Sequence, residues 1–183
     1  VLANELVNLV VNGQDTEPIG IQGDVESNLL YRINSGSPTP YTDTLGREWS
    51  ADQYATGGQM SNFGGAAIDN TDDPTIYRTE RWADDIGIGE TMTYAFPVDP
   101  GGHTVSLHFA EVWEGAQPPE PPRVFNVDIE GSRVLTDFNT LDQLGGWRVA
   151  GARTFDVDVE DSSLEILFSG GSFGHTNPKI SAI

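Results

Sequence analysis

Hydrophobic and polar residues alternate with a period of two along several short segments of the chain. In HTVSLHF, for example, Val105, Leu107 and Phe109 alternate with Ser106 and His108. Such alternation places the apolar side chains on one face of a β-strand and the polar side chains on the other. By this pattern and by residue type, strands are predicted at 31–36, 91–98, 103–113, 123–131, 154–161, 163–171 and 179–183.

Tight-turn sequences separate the predicted strands. DPGG (99–102), EGSR (130–133) and VEDSS (159–163) each contain the Asp, Gly or Ser residues that turns favour. Many short antiparallel strands joined by turns predict an all-β fold, specifically a jelly-roll β-sandwich.

Two regions depart from the strand pattern. Residues 41–75 are polar and rich in Gly, Asp and Asn, which predicts long, ligand-binding loops at one end of the sandwich, because ordering such loops costs entropy that a mere connection would avoid. Residues 1–30 are less regular, and we interpret them as an N-terminal extension or the end of a preceding module. Residues 31–183 then form one domain, long enough to bury its own core.

The charge balance excludes two classes of partner. The chain has 28 Asp and Glu against 9 Lys and Arg, a formal net charge of −19, which repels nucleic acid and anionic membrane surfaces. No segment has the roughly 20 apolar residues that a membrane span needs, so membrane insertion is not expected. Three explanations of the charge stay open: solubility in a salty medium, divalent-cation binding, or a cationic partner.

The sequence offers little for catalysis. There is no cysteine, which excludes thiolate chemistry and disulfides. No GxSxG motif accompanies the histidines, so nothing favours a Ser–His–Asp triad. Glu111, in HFAEVWEG, is the best candidate for one of the two carboxylates of a glycosidase, but a strand residue paired with an arginine is the preferred explanation.

The acidic segment DNTDDP (69–74) is the candidate metal site. Asp69, Asp72 and Asp73 could supply oxygen ligands to a structural Ca²⁺ ion. The segment lacks the glycine and the terminal glutamate of an EF-hand loop, so a solvated turn is the alternative. No cofactor is required by anything else in the sequence.

Aromatic residues concentrate in the predicted loops and at strand ends. The stretch RTERWADD, for instance, sets Trp82 among charged side chains. Sugars stack their C–H faces on aromatic rings, while their hydroxyls need polar partners nearby. For any single ring, core or loop packing is the alternative, but the set points to a carbohydrate site: Trp49, Tyr54, Phe63, Trp82, Trp113 and Trp147.

Five runs of the sequence together resemble malectin and the malectin-like carbohydrate-binding modules of bacteria over residues 31–183: YRINSGSPTPYTDTLGREWSADQY, IYRTERW, LHFAEVW, RVFNVDIEG and NPKISAI. The resemblance implies a jelly-roll β-sandwich that is not an enzyme and that binds an oligosaccharide or polysaccharide. It also implies a monomeric module of a longer extracellular or cell-surface protein, such as a bacterial surface protein or a glycoside hydrolase.

The resemblance implies four aromatic sugar-contacting positions, one of them a rival assignment. The aromatic residue after Thr-Glu-Arg is Trp82, and the one after Phe-Ala-Glu-Val is Trp113. A tyrosine in the family's long loop corresponds to Phe63, with Tyr54 as the rival.

The polar part of the implied site departs from malectin. Glu114 stands where malectin has a further aromatic residue, and Thr176 stands where it has an aspartate before Asn-Pro-Lys. The second change removes a charge-assisted acceptor for sugar hydroxyls, which Glu114, His175 or Asn177 could replace. The leading hypothesis is therefore a glycan-binding module, and the alternative is a structural spacer or protein-interaction module with a degenerate sugar site.

Overall fold

The structure, a computed structural model, describes residues 29–84 and 91–183. The interpretation of residues 1–30 as an extension or preceding module concerns positions that, apart from Leu29 and Leu30, lie outside the described residues. The described strands are β1 (Tyr41–Thr42), β2 (Glu48–Trp49), β3 (Ala55–Thr56), β4 (Gln59–Asn62), β5 (Thr79–Trp82), β6 (Met92–Pro97), β7 (Gly101–Phe109), β8 (Val124–Ile129), β9 (Ser132–Asn139), β10 (Gly151–Val159), β11 (Ser163–Gly170) and β12 (Lys179–Ile180).

The helices of the described residues are short. One α-helix, α1 (Thr140–Leu144), follows β9 directly. Its N-cap is Asn139, whose side chain accepts hydrogen bonds from the first turn. Single turns of 3₁₀ helix lie at Thr75–Tyr77 and Glu114–Ala116.

The strands form a β-sandwich of antiparallel sheets, which confirms the predicted fold class. One layer is a five-stranded sheet in the order β3-β6-β11-β8-β9. The other combines the sheet β12-β5-β4 with the pair β10-β7. These two pieces are joined where the backbone of His108 in β7 exchanges hydrogen bonds of 2.9 and 3.0 Å with Ala182 and Ser181.

The main core lies between the layers, because the inward residues of both fill one apolar cluster. The cluster includes Val105, Leu107 and Phe109, the face predicted from the alternation in β7. Full burial of such side chains stabilises the fold by about 1.5–3 kcal/mol each. The remaining buried members are Ile33, Ala83, Met92, Tyr94, Phe96, Phe125, Val127, Ile129, Phe138, Val159, Leu164, Ile166, Phe168 and Ile180.

A second apolar cluster anchors the long polar segment 41–75. Trp49, Ala66 and Ile68 from this segment pack with Ala110 and Val112, which follow β7, and with Phe63 at the edge. The segment therefore owes its order to side chains that it buries itself, and it includes the short strands β1 to β4.

Asp43 fixes the first part of the same segment. Its carboxylate accepts hydrogen bonds from the backbone N–H groups of Leu45 and Arg47, from Arg47 Nε at 2.6 Å and from Trp49 Nε1 at 3.1 Å. Burial alone would raise the pKa of Asp43, but these donors lower it to about 2. The carboxylate thus stays ionised and ties the β1–β2 hairpin together.

Most predicted strands are confirmed, but segment 31–36 is not a continuous strand, and β5 and β9, which lie outside segment 41–75, were not predicted. Segment 31–36 makes only isolated bridges, from Ile33 to Ser50 and from Asn34 to Ala182. Strand β9 was not predicted, because its pairing with β8 shifts register near Val127 and because Asp137 adopts a φ of +46°, so its side chains do not alternate regularly.

Candidate functional site

Four charged side chains form a buried cluster. Each belongs to one of the motifs that carry the family resemblance or, for Arg123, to the Pro-rich segment AQPPEPPR (116–123): Glu80 (TERW), Glu111 (FAEVW), Arg123 (PPR) and Lys179 (NPK). All four are at most 2% exposed. Because two are acids and two are bases, the cluster is neutral as a whole.

Arg123 is the centre of this ion cluster. Its Nη1 and Nη2 donate to the two carboxylate oxygens of Glu80 at 2.8 and 2.9 Å, and its Nε and Nη2 donate to those of Glu111 at 2.9 and 2.6 Å. Lys179 Nζ lies 2.9 Å from Glu80 Oε2 and also donates to the carbonyl of Ala110. Planar guanidinium matches two carboxylates at once, which is why arginine suits the central position.

The ion cluster gives Glu80 and Glu111 a structural role, so their burial does not require a catalytic one. Burial alone would raise the pKa of Glu80, but Arg123 and Lys179 hold it at about 2. Glu111 is the strand-end acid paired with an arginine that the sequence favoured over a catalytic carboxylate. The backbone of Glu80 is also closely packed: a Cβ on Gly36, whose φ is +76°, would lie 2.0 Å from the Glu80 carbonyl oxygen.

Trp113 packs against the ion cluster. Its backbone N–H donates to Glu111 Oε1 at 3.0 Å, and its ring centroid lies 5.5 Å from the guanidinium carbon of Arg123. The His175 ring meets the indole edge-to-face with 5.1 Å between centroids. Gly115 leaves space for the ring, since a Cβ there would come within 2.3 Å of it. The indole is thus held in place from several sides and is half-buried.

An open cleft of about 620 Å³ lies beside Trp113. Its wall combines two aromatic side chains with an amide, a carboxylate and a guanidinium, and two glycines keep part of it free of side chains. The lining residues are Asn62, Phe63, Gly64, Gly65, Ala66, Val112, Trp113, Glu114 and Arg148.

Arg148 was not predicted from the sequence as a site residue. It adopts a left-handed backbone conformation with a φ of +60°. Its N–H donates to the Glu111 carbonyl and its carbonyl accepts from the Asp69 N–H, both at 2.8 Å. The guanidinium carbon lies 3.9 Å from the ring centroid of Trp147. The adjacent Trp-Arg pair in GGWRV was the available signal.

The structure brings three of the predicted sugar-binding residues together. Phe63, Trp113 and Glu114 all line the cleft. Trp82 is half-exposed but is not part of the lining: its Nε1 donates to Ser61 Oγ at 2.8 Å. Ser61 directly precedes the cleft residue Asn62 in β4, but Trp82 itself does not line the cleft.

Tyr54 is not brought to the cleft, which corrects the rival assignment. It adopts a φ of +64°, and its ring lies 5.2 Å from that of Tyr31 and 5.4 Å from that of Phe96. Backbone bonding to Ala95 at 3.0 Å places it against β6 instead. Phe63 is therefore the long-loop aromatic that reaches the cleft.

The predicted polar residues near the C-terminus lie outside the cleft lining. Asn177 is buried and its Nδ2 donates to the Ala83 carbonyl at 3.3 Å, so its side chain makes a structural contact away from the cleft lining. Thr176 is half-buried and packs against Gly170. His175 reaches the site only as the edge support of Trp113.

The three candidate metal ligands do not converge. Asp73 accepts hydrogen bonds from the Tyr41 hydroxyl at 2.9 Å and from the backbone of Thr44 at 3.1 Å, so both of its oxygens are engaged. Asp69 and Asp72 are exposed. Across residues 29–84 and 91–183, no group of three or more His, Asp or Glu side chains is placed to hold a metal ion.

Comparison with known families agrees with this architecture. The family model described as malectin domain matches residues 29–183. The chain belongs to the malectin domain family. The resemblance identified in the sequence is therefore confirmed. The motifs that carry it supply the side chains of the ion cluster, and this cluster contacts the cleft residue Trp113.

Several solved structures share the fold. The ANXUR2 extracellular domain from Arabidopsis thaliana has a TM-score of 0.73 at 20% identity, with 84% of this chain and 47% of that one covered. A β-glucuronidase from Bacteroides uniformis has a TM-score of 0.70 at 18% identity over 85% of this chain and 18% of the enzyme. At these identities the likeness concerns the fold alone.

A curated relative is similar over a shorter stretch. A probable leucine-rich repeat receptor-like serine/threonine-protein kinase from Arabidopsis thaliana is 34% identical over 80 residues, which are 42% of this chain and 8% of the kinase. This chain thus spans only part of the proteins that it matches. These matches do not support the specifically bacterial-surface setting suggested by the sequence resemblance. Among the described residues, no helix is long and apolar enough to cross a membrane.

Proposed function

We propose that this malectin domain is a non-catalytic, extracellular module that binds a glycan in the cleft beside Trp113. The observation that carries the proposal is the composition of the cleft wall. Phe63 and Trp113 offer apolar ring faces, while Asn62, Glu114 and Arg148 offer hydrogen-bonding groups. Ring faces combined with a few polar groups are what a sugar requires.

The preorganised position of Trp113 supports the proposal. An aromatic ring that must be ordered upon binding costs side-chain entropy, whereas Trp113 is already held by Glu111, Arg123 and His175. The buried ion cluster would therefore contribute to binding indirectly, by fixing the ring on which the sugar stacks.

The acid groups of the site argue for binding without hydrolysis. Glycoside hydrolysis requires two carboxyl groups on either side of the scissile bond. Of the described residues that line the cleft, Glu114 alone carries a carboxylate. Glu80 and Glu111 are buried and bound to Arg123, so they are not available to a substrate.

The extracellular setting rests on the relatives, several of which are extracellular domains of plant receptor kinases. An open cleft of this kind suits weak binding of one sugar unit, with higher avidity if the module is repeated or linked to further binding modules in a longer protein.

A glycan array tests the proposal. We expect the purified chain to bind a defined group of glycans and Trp113→Ala to reduce that binding at least tenfold. Trp113→Phe should retain part of it, because a smaller aromatic face remains. Phe173→Ala is the matched control, since Phe173 is 53% exposed and lies outside the cleft lining.

Thermal unfolding of each variant separates loss of binding from loss of fold. A folded chain that binds no glycan, or a folded Trp113→Ala variant with full binding, would contradict the proposal. The first result would favour the alternative of a spacer or protein-interaction module.

A further inference from the structure

Arg148 differs from the other arginines in lacking a polar partner. Across the described residues, which include every arginine of the chain, its side chain makes no hydrogen bond or ion pair, and its Nε is buried without an acceptor. Arg47, Arg81, Arg123 and Arg133 each pair with a carboxylate. Those that remain also have partners: Arg78 and Arg153 donate to backbone carbonyls, and Arg32 makes an interaction of its own.

An unpaired cation is unexpected in this chain. With a net charge of −19, carboxylates are abundant, and among the described residues they pair with four of the eight arginines. Glu114 is the one acidic residue in the cleft lining, yet among the described residues it forms no ion pair with Arg148, whose Nε has no hydrogen-bond partner. A buried donor without an acceptor destabilises the folded state, so its retention calls for an explanation.

The backbone at Arg148 is held in a strained conformation. A non-glycine residue at a φ of +60° is uncommon, and it persists here because Glu111 and Asp69 bind the Arg148 peptide groups on both sides. Strained residues that the surrounding structure fixes in this way are concentrated at ligand sites.

The geometry leaves only part of the guanidinium for a ligand. One face is covered by Trp147, 3.9 Å away. Trp147 Nε1 is itself buried without an acceptor. Arg148 lines the cleft together with Phe63 and Trp113, so the uncovered part of its guanidinium lies next to this aromatic wall.

We infer that the glycan bound in this cleft is acidic, and that Arg148 binds the carboxylate of a hexuronic acid whose ring stacks on the aromatic wall. The inference rests on the proposed glycan-binding function and specifies its ligand class. A planar carboxylate matches the free edge of a guanidinium with two parallel hydrogen bonds. A neutral hexose would leave the charge of Arg148 uncompensated.

Glu114 limits the orientation of such a ligand. Its exposed carboxylate lies in the same lining and repels a second negative charge. The uronate group must then point to the Arg148 side, while Glu114 accepts hydrogen bonds from hydroxyls. Two charged groups of opposite sign would thus fix the direction of the sugar in the cleft.

Matched ligands test the inference. Hexuronic acid oligomers and their carboxyl-reduced counterparts, which are neutral sugars of the same linkage, are titrated into the chain by isothermal calorimetry. We expect one uronic acid series to bind at least tenfold more tightly than its reduced form. Arg148→Gln should remove this difference, and Arg148→Lys should restore little of it, because lysine lacks the planar fork.

The controls separate failure of this inference from failure of the proposed function. Arg133→Gln, at a surface arginine paired with Asp128, should leave the preference unchanged. Equal binding of neutral and acidic oligomers by the original chain and by Arg148→Gln would overturn the acidic ligand while leaving glycan binding intact. Binding restricted to a sulfated glycan would overturn the carboxylate assignment. Absence of binding to any glycan would remove the proposed function, and this inference with it.

Discussion

Arg123 and Glu80 form a buried pair with two parallel hydrogen bonds of 2.8 and 2.9 Å. The same guanidinium binds Glu111 and lies against Trp113. Two motifs that are distant in the sequence, TERW and FAEVW, are thereby connected through one arginine of the Pro-rich segment. Trp113, which lines the proposed glycan cleft, packs against this arginine.

Breaking the ion cluster should destabilise the domain strongly. Glu111→Gln leaves Arg123 with one charged partner in a buried position, so the free energy of unfolding should fall by about 3–5 kcal/mol. Urea denaturation measures the change. Arg133→Met is the control: it breaks the more exposed Arg133–Asp128 pair and should cost less than about 1 kcal/mol. Similar small losses for both variants would show that the cluster is not a main support of the fold.

The stability of the domain should decrease between pH 7 and pH 5 because of His108. Burial, assisted by the positive charge of Arg47, lowers the pKa of His108 from 6.5 to about 4. Below pH 6.5 the unfolded chain therefore binds a proton that the folded state excludes until about pH 4. The free energy of unfolding should fall by about 1–2 kcal/mol over this interval.

Histidine variants isolate this effect. In His108→Asn the decrease between pH 7 and pH 5 should largely disappear, whereas His103→Asn should retain it. Denaturation curves at the two pH values give the comparison. A pH dependence that is unchanged in His108→Asn would assign the effect to other groups.

Trp82 should matter only for longer glycans. It is outside the cleft lining, its indole N–H donates to Ser61, the residue before the cleft residue Asn62, and it belongs to neither apolar cluster. Trp82→Ala should therefore weaken binding of an oligosaccharide that extends past the cleft, while a disaccharide of the same sugar binds unchanged. Trp113→Ala should weaken both. An equal loss for both lengths in Trp82→Ala would place Trp82 in the main site.

Much of the fold was predictable because the signal is local. Val105, Leu107 and Phe109 alternate with polar residues in the sequence and line the core in the structure. Strand β9 was missed because its irregular register with β8 disturbs that alternation. The segment 41–75 was predicted only as loops, since its order depends on contacts of Trp49 and Phe63 with residues that follow β7.

The site was predictable in part. Trp113, Glu114 and Phe63 were identified through the family resemblance and do line the cleft. The same resemblance could not separate residues that line the cleft from those that support it, such as His175, whose ring packs on Trp113. Arg148 was missed because only the folded structure shows which arginines have polar partners. The sequence could not show that the side chain of Arg148 has none among the described residues.

The indole N–H resonances report whether a glycan binds in the cleft next to Trp113, because the chain has four tryptophans in different settings. A ¹⁵N-labelled sample is titrated with the glycan that binds best on the array. We expect the largest chemical-shift change at Trp113, which lines the cleft, and little change at Trp49, whose indole is buried and donates to Asp43. Saturation with a bound glycan that leaves the Trp113 resonance unmoved would contradict this expectation.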